Sequence, residues 1–370
     1  MPDRTPGSLH LGTYTLPYDA IRQGNFPEDI SESESQTLHF CQEWLNGQQT
    51  FTLYTSGSTG SPKAITFHRE QLIASAYMTG KALGLTVGDR ALITLPTQYI
   101  GGRMMLVRGF ELGLHLTILP PSSLPLSPFT EDTYFDFLSF VPLQLYNTLS
   151  QTPEKTAILN RAKAILLGGA PVDHVLETQL QAVKAPVYHT YGMTETISHI
   201  ALKKLNTSGK QPHFVALQGV EISTDSRNCL VIRTPFLGNE PVITNDVVRI
   251  LSANTFEWIG RIDNIINTGG VKVQAEKVEK AVEKILAHMS ANRRFFVAPL
   301  SDSLLGEAVT LFIEGFPFSV KEQTILTGYL NKHLTKYEKP KSIRYIAIFA
   351  ETASGKLDKR QSILDHKQKG

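Results

Sequence analysis

Apolar residues recur along the chain in two patterns, as short aliphatic runs and as longer segments with helical spacing. The short runs are rich in β-branched and aromatic residues and stop abruptly at small or polar residues, as strands do where they enter loops. Four such junctions are FTLY into TSGSTG, ALIT into LPTQ, AILL into GGAP, and PVYHT into YGMTE. Helical patterns, such as that of residues 69–83, lie between them. The alternation predicts βα units around a mostly parallel sheet.

The loops after these four strands are expected to lie close together. Ligands of open α/β sheets bind beyond the carboxyl ends of the strands, and all four loops would fall there. The sequence therefore predicts a binding site at this edge of the sheet.

The segment before the first of these strands has the spacing of an amphipathic helix. Leu38, Cys41 and Leu45 are its apolar positions. Ser33 is expected to cap this helix, and Gln36 is expected to complete a capping box with it.

The pattern changes after Asp263. Apolar residues at i, i+3, i+4 and i+7 predict an amphipathic helix that begins near Val278. Strand-like RRFFVAPL and AVTLFIEG, a helix near residues 319–334 and a strand-like IRYIAIF follow it. The predicted fold is α/β, with a large N-terminal domain of mostly parallel sheets and flanking helices at residues 1–262. A small α+β domain is predicted at residues 263–370, an ordinary size for a domain.

The composition is that of a soluble globular protein with small-molecule partners. Of the 370 residues, 41% are hydrophobic and 19% are charged, and the formal charge of +2 is too small to indicate a nucleic-acid surface. The two cysteines are far apart, so neither a disulfide framework nor a zinc site is predicted. Without a long apolar run or a leader pattern, the expected location is cytoplasmic, with no membrane partner. Homo-oligomerisation is left open.

The stretch TSGSTGSPK has two interpretations from its residues alone. Clusters of Gly, Ser and Thr between periodic segments are usually flexible surface loops. The same small residues also let backbone N–H groups and hydroxyls approach an anion, and Lys63 would supply positive charge, as in a phosphate cradle. The stretch does not fit the G-x-x-x-x-G-K-[ST] pattern of P-loops, because Lys63 is followed by Ala64.

Six motifs decide between these interpretations: TSGSTGSPK, GGAP, YGMTET, TNDVVRI, GRIDNIINTGGVKV and TASGKLDK. Their order and spacing, from about residue 50 to the end, resemble the acyl-adenylate-forming superfamily of acyl-CoA synthetases, luciferases and peptide-synthetase adenylation domains. The resemblance implies that a carboxylate attacks the α-phosphate of ATP to give an acyl-AMP and pyrophosphate. The thiol of coenzyme A then attacks the acyl carbon and expels AMP. The resemblance also implies a Mg²⁺ requirement and a mobile C-terminal domain.

The resemblance assigns ATP-binding roles to individual residues. The β- and γ-phosphates would be held by Thr55, Ser56, Gly57, Ser58, Thr59, Gly60 and Lys63. Adenine and ribose would be held by Gly168, Gly169, Ala170, Pro171, Tyr191, Asp246 and Arg261. The catalytic residues would be Thr194 on the α-phosphate, Glu195 as the Mg²⁺ ligand, and Lys356, whose ammonium group would stabilise transition-state charge. TNDVVRI has Asn245 where the family usually has glycine, which puts the local loop geometry in question.

The same resemblance predicts how the second half-reaction and the acid substrate are handled. Asp263 would be the hinge of the C-terminal domain. The acyl and CoA sites would include Tyr99, Arg103, Ser198, His199, Gly270 and Lys272. Arg103 is either a helix-surface residue or the partner of a substrate carboxylate.

The acid itself is less closely defined. YGMTETISHI and the short chain resemble most the branch of the family that activates 2-succinylbenzoate for menaquinone biosynthesis. Another aromatic or short acid, with coenzyme A or a carrier protein as the acceptor, is one alternative. A nucleotide-binding relative without catalytic activity is the other.

Overall fold

The computed structural model describes residues 6–54, 63–207, 209–291, 293–351 and 357–369. Within them, the helices are α1 Tyr18–Arg22, α2 Glu32–Leu45, α3 Arg69–Leu83, α4 Ile100–Leu112, α5 Pro142–Gln151, α6 Thr156–Leu159, α7 His174–Gln179, α8 Ala275–His288, α9 Val320–His333 and α10 Lys359–Lys369. The strands are β1 Ser8–Leu11, β2 Tyr14–Pro17, β3 Thr50–Tyr54, β4 Ala64–His68, β5 Arg90–Ile93, β6 His115–Ile118, β7 Phe137–Phe140, β8 Ala164–Leu167, β9 Val187–Met193, β10 Ser198–Lys204, β11 Phe214–Ala216, β12 Glu221–Thr224, β13 Cys229–Arg233, β14 Val242–Ser252, β15 Thr255–Arg261, β16 Ile265–Thr268, β17 Val271–Gln274, β18 Phe295–Asp302, β19 Gly306–Glu314 and β20 Ser342–Ile346.

A large mixed sheet forms the centre of the fold. Its strand order is β12-β13-β14-β15-β11-β10-β9-β8-β7-β5-β6-β1-β2. The run from β9 to β1 is parallel, and the strands on both sides of that run pair antiparallel. Strands β7 and β8 are buried along their whole length, as expected for strands covered by helices on both faces. The predicted α/β class with a parallel sheet is confirmed, and the antiparallel extension is an addition to it.

The strand FTLY does not belong to this sheet. It forms β3, which pairs antiparallel with β4 in a separate two-stranded sheet. The expectation that four parallel strands share one edge is therefore wrong for the first of them. The segment that connects β3 and β4 is TSGSTGSPK, residues 55–63, and residues 55–62 of it lie outside the described chain.

Two helices beside the large sheet lie close to the predicted site. Helix α3 has the predicted bounds and ends at Gly84, whose φ of 66° gives the left-handed C-cap that glycine favours. Helix α4 packs against α3.

Helix α2 is capped by Ser31, whose hydroxyl accepts from the Glu34 N–H while the Glu34 carboxylate accepts from the Ser31 N–H. The predicted cap at Ser33 is wrong by two residues.

The C-terminal residues form a second sheet, in which β16, β17, β18, β19 and β20 are joined. Helices α8 and α9 cover it, and both agree with the predicted helices within a few residues. The chain passes from the large sheet to the second sheet through a 3-10 turn at Ile262–Asn264. A contact joins the two parts, because the Glu283 carboxylate on α8 accepts a hydrogen bond from the His174 N–H at the start of α7. None of the described helices has the length and apolar content needed to cross a membrane.

Candidate active site

The carboxyl ends of β8 and β9 bring GGAP and YGMTET to one edge of the large sheet. The two strands pair in parallel, with Leu167 opposite His189. A Cβ atom on Gly168 would lie 2.7 Å from the Thr190 hydroxyl oxygen, so this position needs glycine to keep the two chain segments together. Ala170 and Pro171 are exposed just beyond this contact. The loop predicted to contact adenine is thus an exposed rim next to β9.

Asp246 is the buried member of the residues predicted to bind adenine and ribose. It is buried, with 7% of its surface exposed. The Tyr191 hydroxyl donates to its Oδ2 at 2.7 Å, and the Trp258 Nε1–H donates to its Oδ1 at 3.1 Å. Burial and the neighbouring Asp246 carboxylate raise the pKa of Tyr191, so the phenol keeps its proton and acts as a donor. The structure therefore brings together Tyr191 and Asp246, which are 55 residues apart in the sequence.

Arg261 connects Asp246 with the predicted hinge. Its Nη1 lies 3.8 Å from Asp246 Oδ1, and its Nη2 lies 2.7 Å from Asp263 Oδ2. Strand register explains this placement, because Asp246 on β14 is opposite Arg261 on β15. Asn245 lies inside β14 and is absent from the residues with positive φ, so an extended strand accommodates asparagine where the family usually has glycine. Asn245 itself therefore needs no left-handed backbone conformation.

The turn after β9 is tightly constrained. Thr196 is buried; its hydroxyl accepts from the Met193 N–H and lies 2.7 Å from the Ser198 carbonyl oxygen, to which it donates. Ile197 and Ser198 follow with φ values of 54° and 82°, a region that non-glycine residues rarely adopt. Thr194 is half-buried and Glu195 is exposed on the same turn. Such strained turns persist only where surrounding contacts hold them, as Thr196 does here.

Replacing Gly192 with alanine should destabilise this turn. A Cβ atom there would lie 2.1 Å from the Ser198 carbonyl oxygen and 2.5 Å from the His199 Cα, and backbone atoms cannot move aside like a side chain. We expect a loss of roughly 1–3 kcal/mol in the free energy of unfolding, measured by urea titration. Gly328 on α9 has no atom within 4 Å of an added Cβ, so Gly328→Ala should leave the protein equally or more stable. Equal losses in both variants would contradict the prediction.

A buried arginine that the sequence did not single out lies next to this turn. Arg108 on α4 is 2% exposed, and its Nη2 donates to the Ser198 hydroxyl at 3.2 Å. Its Nε has no hydrogen-bond partner, and no carboxylate of the described residues forms an ion pair with it. Burial lowers its pKa to about 9, which still leaves it charged at neutral pH. A buried cation without an anionic partner is costly, so the side chain is expected to have a ligand of opposite charge.

His199, the residue after Ser198, is buried together with Thr79 of α3. His199 is 4% exposed, and its Nε2 lies 3.1 Å from the Thr79 hydroxyl on α3. Burial, and after it the charge of Arg108, hold the pKa of His199 well below its usual value. The imidazole is therefore neutral and adds no negative charge beside Arg108.

Arg103, predicted to be either a helix-surface residue or the partner of a substrate carboxylate, contacts α2 and the segment before α4. Its Nε donates to the Thr97 carbonyl at 2.7 Å, and its guanidinium stacks 4.2 Å from the centre of the Phe40 ring on α2. Arg103 and Arg108 are five residues apart on α4, which turns their side chains about 140° from each other around the helix axis. The helix therefore presents Arg103 to α2 and Arg108 to Ser198. Tyr99 is half-buried directly before α4.

Several predicted residues are not brought to this site by the described chain. Lys356 and the predicted phosphate-binding residues Thr55, Ser56, Gly57, Ser58, Thr59 and Gly60 lie outside it. Lys63 is exposed immediately before β4. Gly270 and Lys272 are exposed on the β16–β17 hairpin of the second sheet. Their predicted roles remain predictions.

Comparison with protein-family models matches residues 13–225 to the AMP-binding enzyme family. The matched segment is more than half of the 370 residues. The chain belongs to the AMP-binding enzyme family. The resemblance drawn from the six motifs is therefore confirmed, and ATP-dependent adenylate chemistry is the activity of this enzyme class.

This AMP-binding enzyme is similar to several named proteins. A solved acyl-CoA synthetase (AMP-forming)/AMP-acid ligase II-like protein from Dyadobacter fermentans is 40% identical, with a TM-score of 0.61 and coverage of 92% of this chain and 97% of that one. The o-succinylbenzoate CoA synthetase of Bacillus subtilis, solved with its acyl-adenylate intermediate, shares the fold at 24% identity and a TM-score of 0.69, over 84% and 68% of the two chains. That synthetase has also been solved with ATP and a magnesium ion. A 2-succinylbenzoate–CoA ligase from Listeria innocua is 23% identical over 93% of this chain and 76% of its own length.

Sequence reasoning missed two residues of this site, Arg108 and Trp258. Arg108 is the single charged residue in the apolar run MMLVRGF, which was a usable signal of an unusual buried charge. Trp258 faces Asp246 only because a β-bulge between Val247 and Val248 changes the register of β14 against β15. A bulge of this kind has no clear sequence signal.

Proposed function

We propose that this AMP-binding enzyme is an ATP-dependent acid–thiol ligase that converts 2-succinylbenzoate to its coenzyme A thioester. A carboxylate of the acid attacks the α-phosphorus of ATP, and pyrophosphate leaves. The thiol of coenzyme A then attacks the acyl carbon of the acyl-AMP, and AMP leaves. Support comes from the family, from the names of the relatives, and above all from the buried Arg108, which lies next to the same hairpin that carries Tyr191.

The nucleotide would lie along the rim formed by β8, β9 and β14. Asp246 would accept hydrogen bonds from the ribose hydroxyls, since a carboxylate gives such bonds the strength of charge assistance. Tyr191 would pack against adenine, with GGAP along the edge of the base. Thr194 would donate to the α-phosphate. This division of roles follows the family motifs and is supported by the contact between Tyr191 and Asp246.

Glu195 fits the role of a magnesium ligand. Its carboxylate is exposed on the turn that follows β9, beside Thr194. Mg²⁺ is commonly bound by one or two carboxylates together with substrate phosphates, so no larger set of protein ligands is needed. Among the described residues no group of three or more His, Cys, Asp or Glu side chains could hold a metal alone. When bound with ATP, the ion would neutralise phosphate charge.

The second carboxylate of the acid would pair with Arg108. The buried guanidinium has free donors, and Ser198 and neutral His199 provide polar neighbours without negative charge. The planar guanidinium can donate two parallel hydrogen bonds to a carboxylate, in a bidentate pair. A dicarboxylic acid would then leave its other carboxylate free to attack ATP. We therefore assign to Arg108 the role that the sequence suggested for Arg103.

The thioester step would use the second domain. Asp263 would be the hinge about which the second domain rotates. After this rotation, Gly270 and Lys272 on the β16–β17 hairpin would face coenzyme A. Arg261 supports this proposal, because it contacts both Asp246 in the nucleotide region and Asp263 at the proposed hinge. Coenzyme A and ATP are thus the proposed co-substrates, with Mg²⁺ as the metal.

Mass spectrometry tests the proposal directly. Purified protein with ATP, Mg²⁺, coenzyme A and 2-succinylbenzoate should form the thioester, and omission of any one component should prevent it. A pyrophosphate-release screen with other aromatic and short acids gives the substrate range. Turnover of another acid but not of 2-succinylbenzoate would overturn the substrate assignment. Absence of ATP–pyrophosphate exchange with every acid would instead indicate a non-catalytic nucleotide-binding relative.

A further inference from the structure

Asp246 has two protein donors, one on each carboxylate oxygen. Tyr191 donates to Oδ2 and Trp258 donates to Oδ1, at 2.7 and 3.1 Å. An ionised carboxylate has about four acceptor sites, two on each oxygen. The two donors therefore use one site on each oxygen and leave one on each, which matches the two hydroxyls of a ribose.

Trp258 is placed for this contact by the local strand geometry. Arg261 is opposite Asp246, but the bulge after Val247 shifts the pairing so that Trp258 is opposite Val248. The indole is partly buried against the large core, so its direction is restricted. A donor held in place in this way restricts rotation of the carboxylate more than a flexible surface donor would.

We propose that Trp258 is a positioning residue that orients Asp246 toward the ribose hydroxyls of ATP. This inference rests on the proposed nucleotide site. Trp258 does not touch the reacting atoms, and its effect passes through Asp246. Loss of its N–H should let the carboxylate turn away, so binding should lose the part of the affinity that depends on the ribose hydroxyls.

Binding of ATP and of 2′,3′-dideoxy-ATP, measured by calorimetry without acid substrate, separates this role from a general structural one. Wild-type protein should prefer ATP. Trp258→Phe should weaken ATP binding by roughly ten-fold, as expected for a lost hydrogen bond to a charged group, while dideoxy-ATP binding changes less than about three-fold. The preference for ATP should therefore fall. Equal losses for the two nucleotides would overturn the proposal, as would an unchanged preference.

Trp44→Phe is a matched control. The protein has two tryptophans, and the Trp44 indole also donates to a carboxylate, that of Glu111 at 3.1 Å, but in the core against α4. This variant should keep the wild-type preference for ATP. A loss of preference in it would overturn the specific role of Trp258.

The Trp44→Phe variant also gives a test that leaves Trp258 intact. Its remaining indole fluorescence comes from Trp258, and AMP should change that emission more than 2′,3′-dideoxy-AMP does. Equal changes, or none while calorimetry reports AMP binding, would contradict the proposal. A wild-type protein that binds no ATP would overturn the proposed nucleotide site itself, which is a different result from binding without a role for Trp258.

Discussion

Replacement of Arg108 with methionine should raise the KM for 2-succinylbenzoate by about 30-fold or more, because removal of one partner of a buried charge pair typically costs at least 2 kcal/mol. Methionine keeps an unbranched apolar stem that reaches to the position of the arginine Nε, and it lacks the charged guanidinium. The KM for ATP should change little, since the nucleotide contacts lie on Tyr191 and Asp246. Initial-rate measurements of pyrophosphate release, with each substrate varied in turn, check this expectation.

The same substitution should make the free protein more stable. Burial lowers the pKa of Arg108 from 12.5 to about 9, and such a shift corresponds to a cost on the order of 5 kcal/mol for the charged form. This cost is fully present at pH values below 9 and declines only as the pH rises toward 12.5, where the unfolded side chain also loses its proton. Arg108→Met should therefore raise the unfolding midpoint in urea at pH 6 to 8. Higher stability together with a higher KM is typical of a charge kept for binding.

Arg103→Met on the same helix is the control. Arg103 stacks on Phe40 and donates to Thr97, so its loss should lower stability without a selective effect on the acid. If Arg103→Met raised the KM for 2-succinylbenzoate and Arg108→Met did not, the original prediction from the sequence would be correct and the assignment to Arg108 wrong.

The sequence predicted local structure well wherever one pattern repeated over several residues. Helix α3 was predicted with its observed bounds, and α8 and α9 were predicted to within a few residues from apolar spacing. Which strands pair with each other was harder to predict, because pairing depends on residues that are distant in sequence. FTLY has the composition of a central strand, yet among the described residues it pairs only with β4. A period-two pattern identifies a strand but not its neighbour.

The site was likewise harder to predict where it depends on contacts between residues distant in sequence. The motifs placed Tyr191 and Asp246 in one ligand region, and their side chains are in contact. The sequence analysis singled out Arg103 and not Arg108, because the contacts of the two arginines depend on which face of α4 packs against α2. Trp258 could not be found because its contact depends on a bulge. Family motifs therefore locate the nucleotide side of the site more reliably than the acid side, which is built from ordinary helix residues.

Replacement of Lys356 with alanine should reduce adenylation by roughly 10² to 10³-fold, the usual loss when one preorganised donor is removed from developing charge. The family motif implies that this ammonium group stabilises the attacking carboxylate and the bridging oxygen only in the first half-reaction. Thioester formation from supplied acyl-AMP should therefore remain largely intact. Stopped-flow measurements of pyrophosphate release and of thioester formation separate the two steps.

Lys359 provides a matched control for this prediction in the same lysine-rich segment. It pairs with Glu279 at 2.8 Å, a partly exposed contact between α10 and α8 that should contribute about 1 kcal/mol or less to stability. Lys359→Ala should leave adenylation within about three-fold of the wild-type rate. If Lys356→Ala reduced both half-reactions equally while the protein stayed folded, the lysine would serve both steps from one position. A C-terminal domain that rotates about Asp263 between the steps would then be the wrong mechanism.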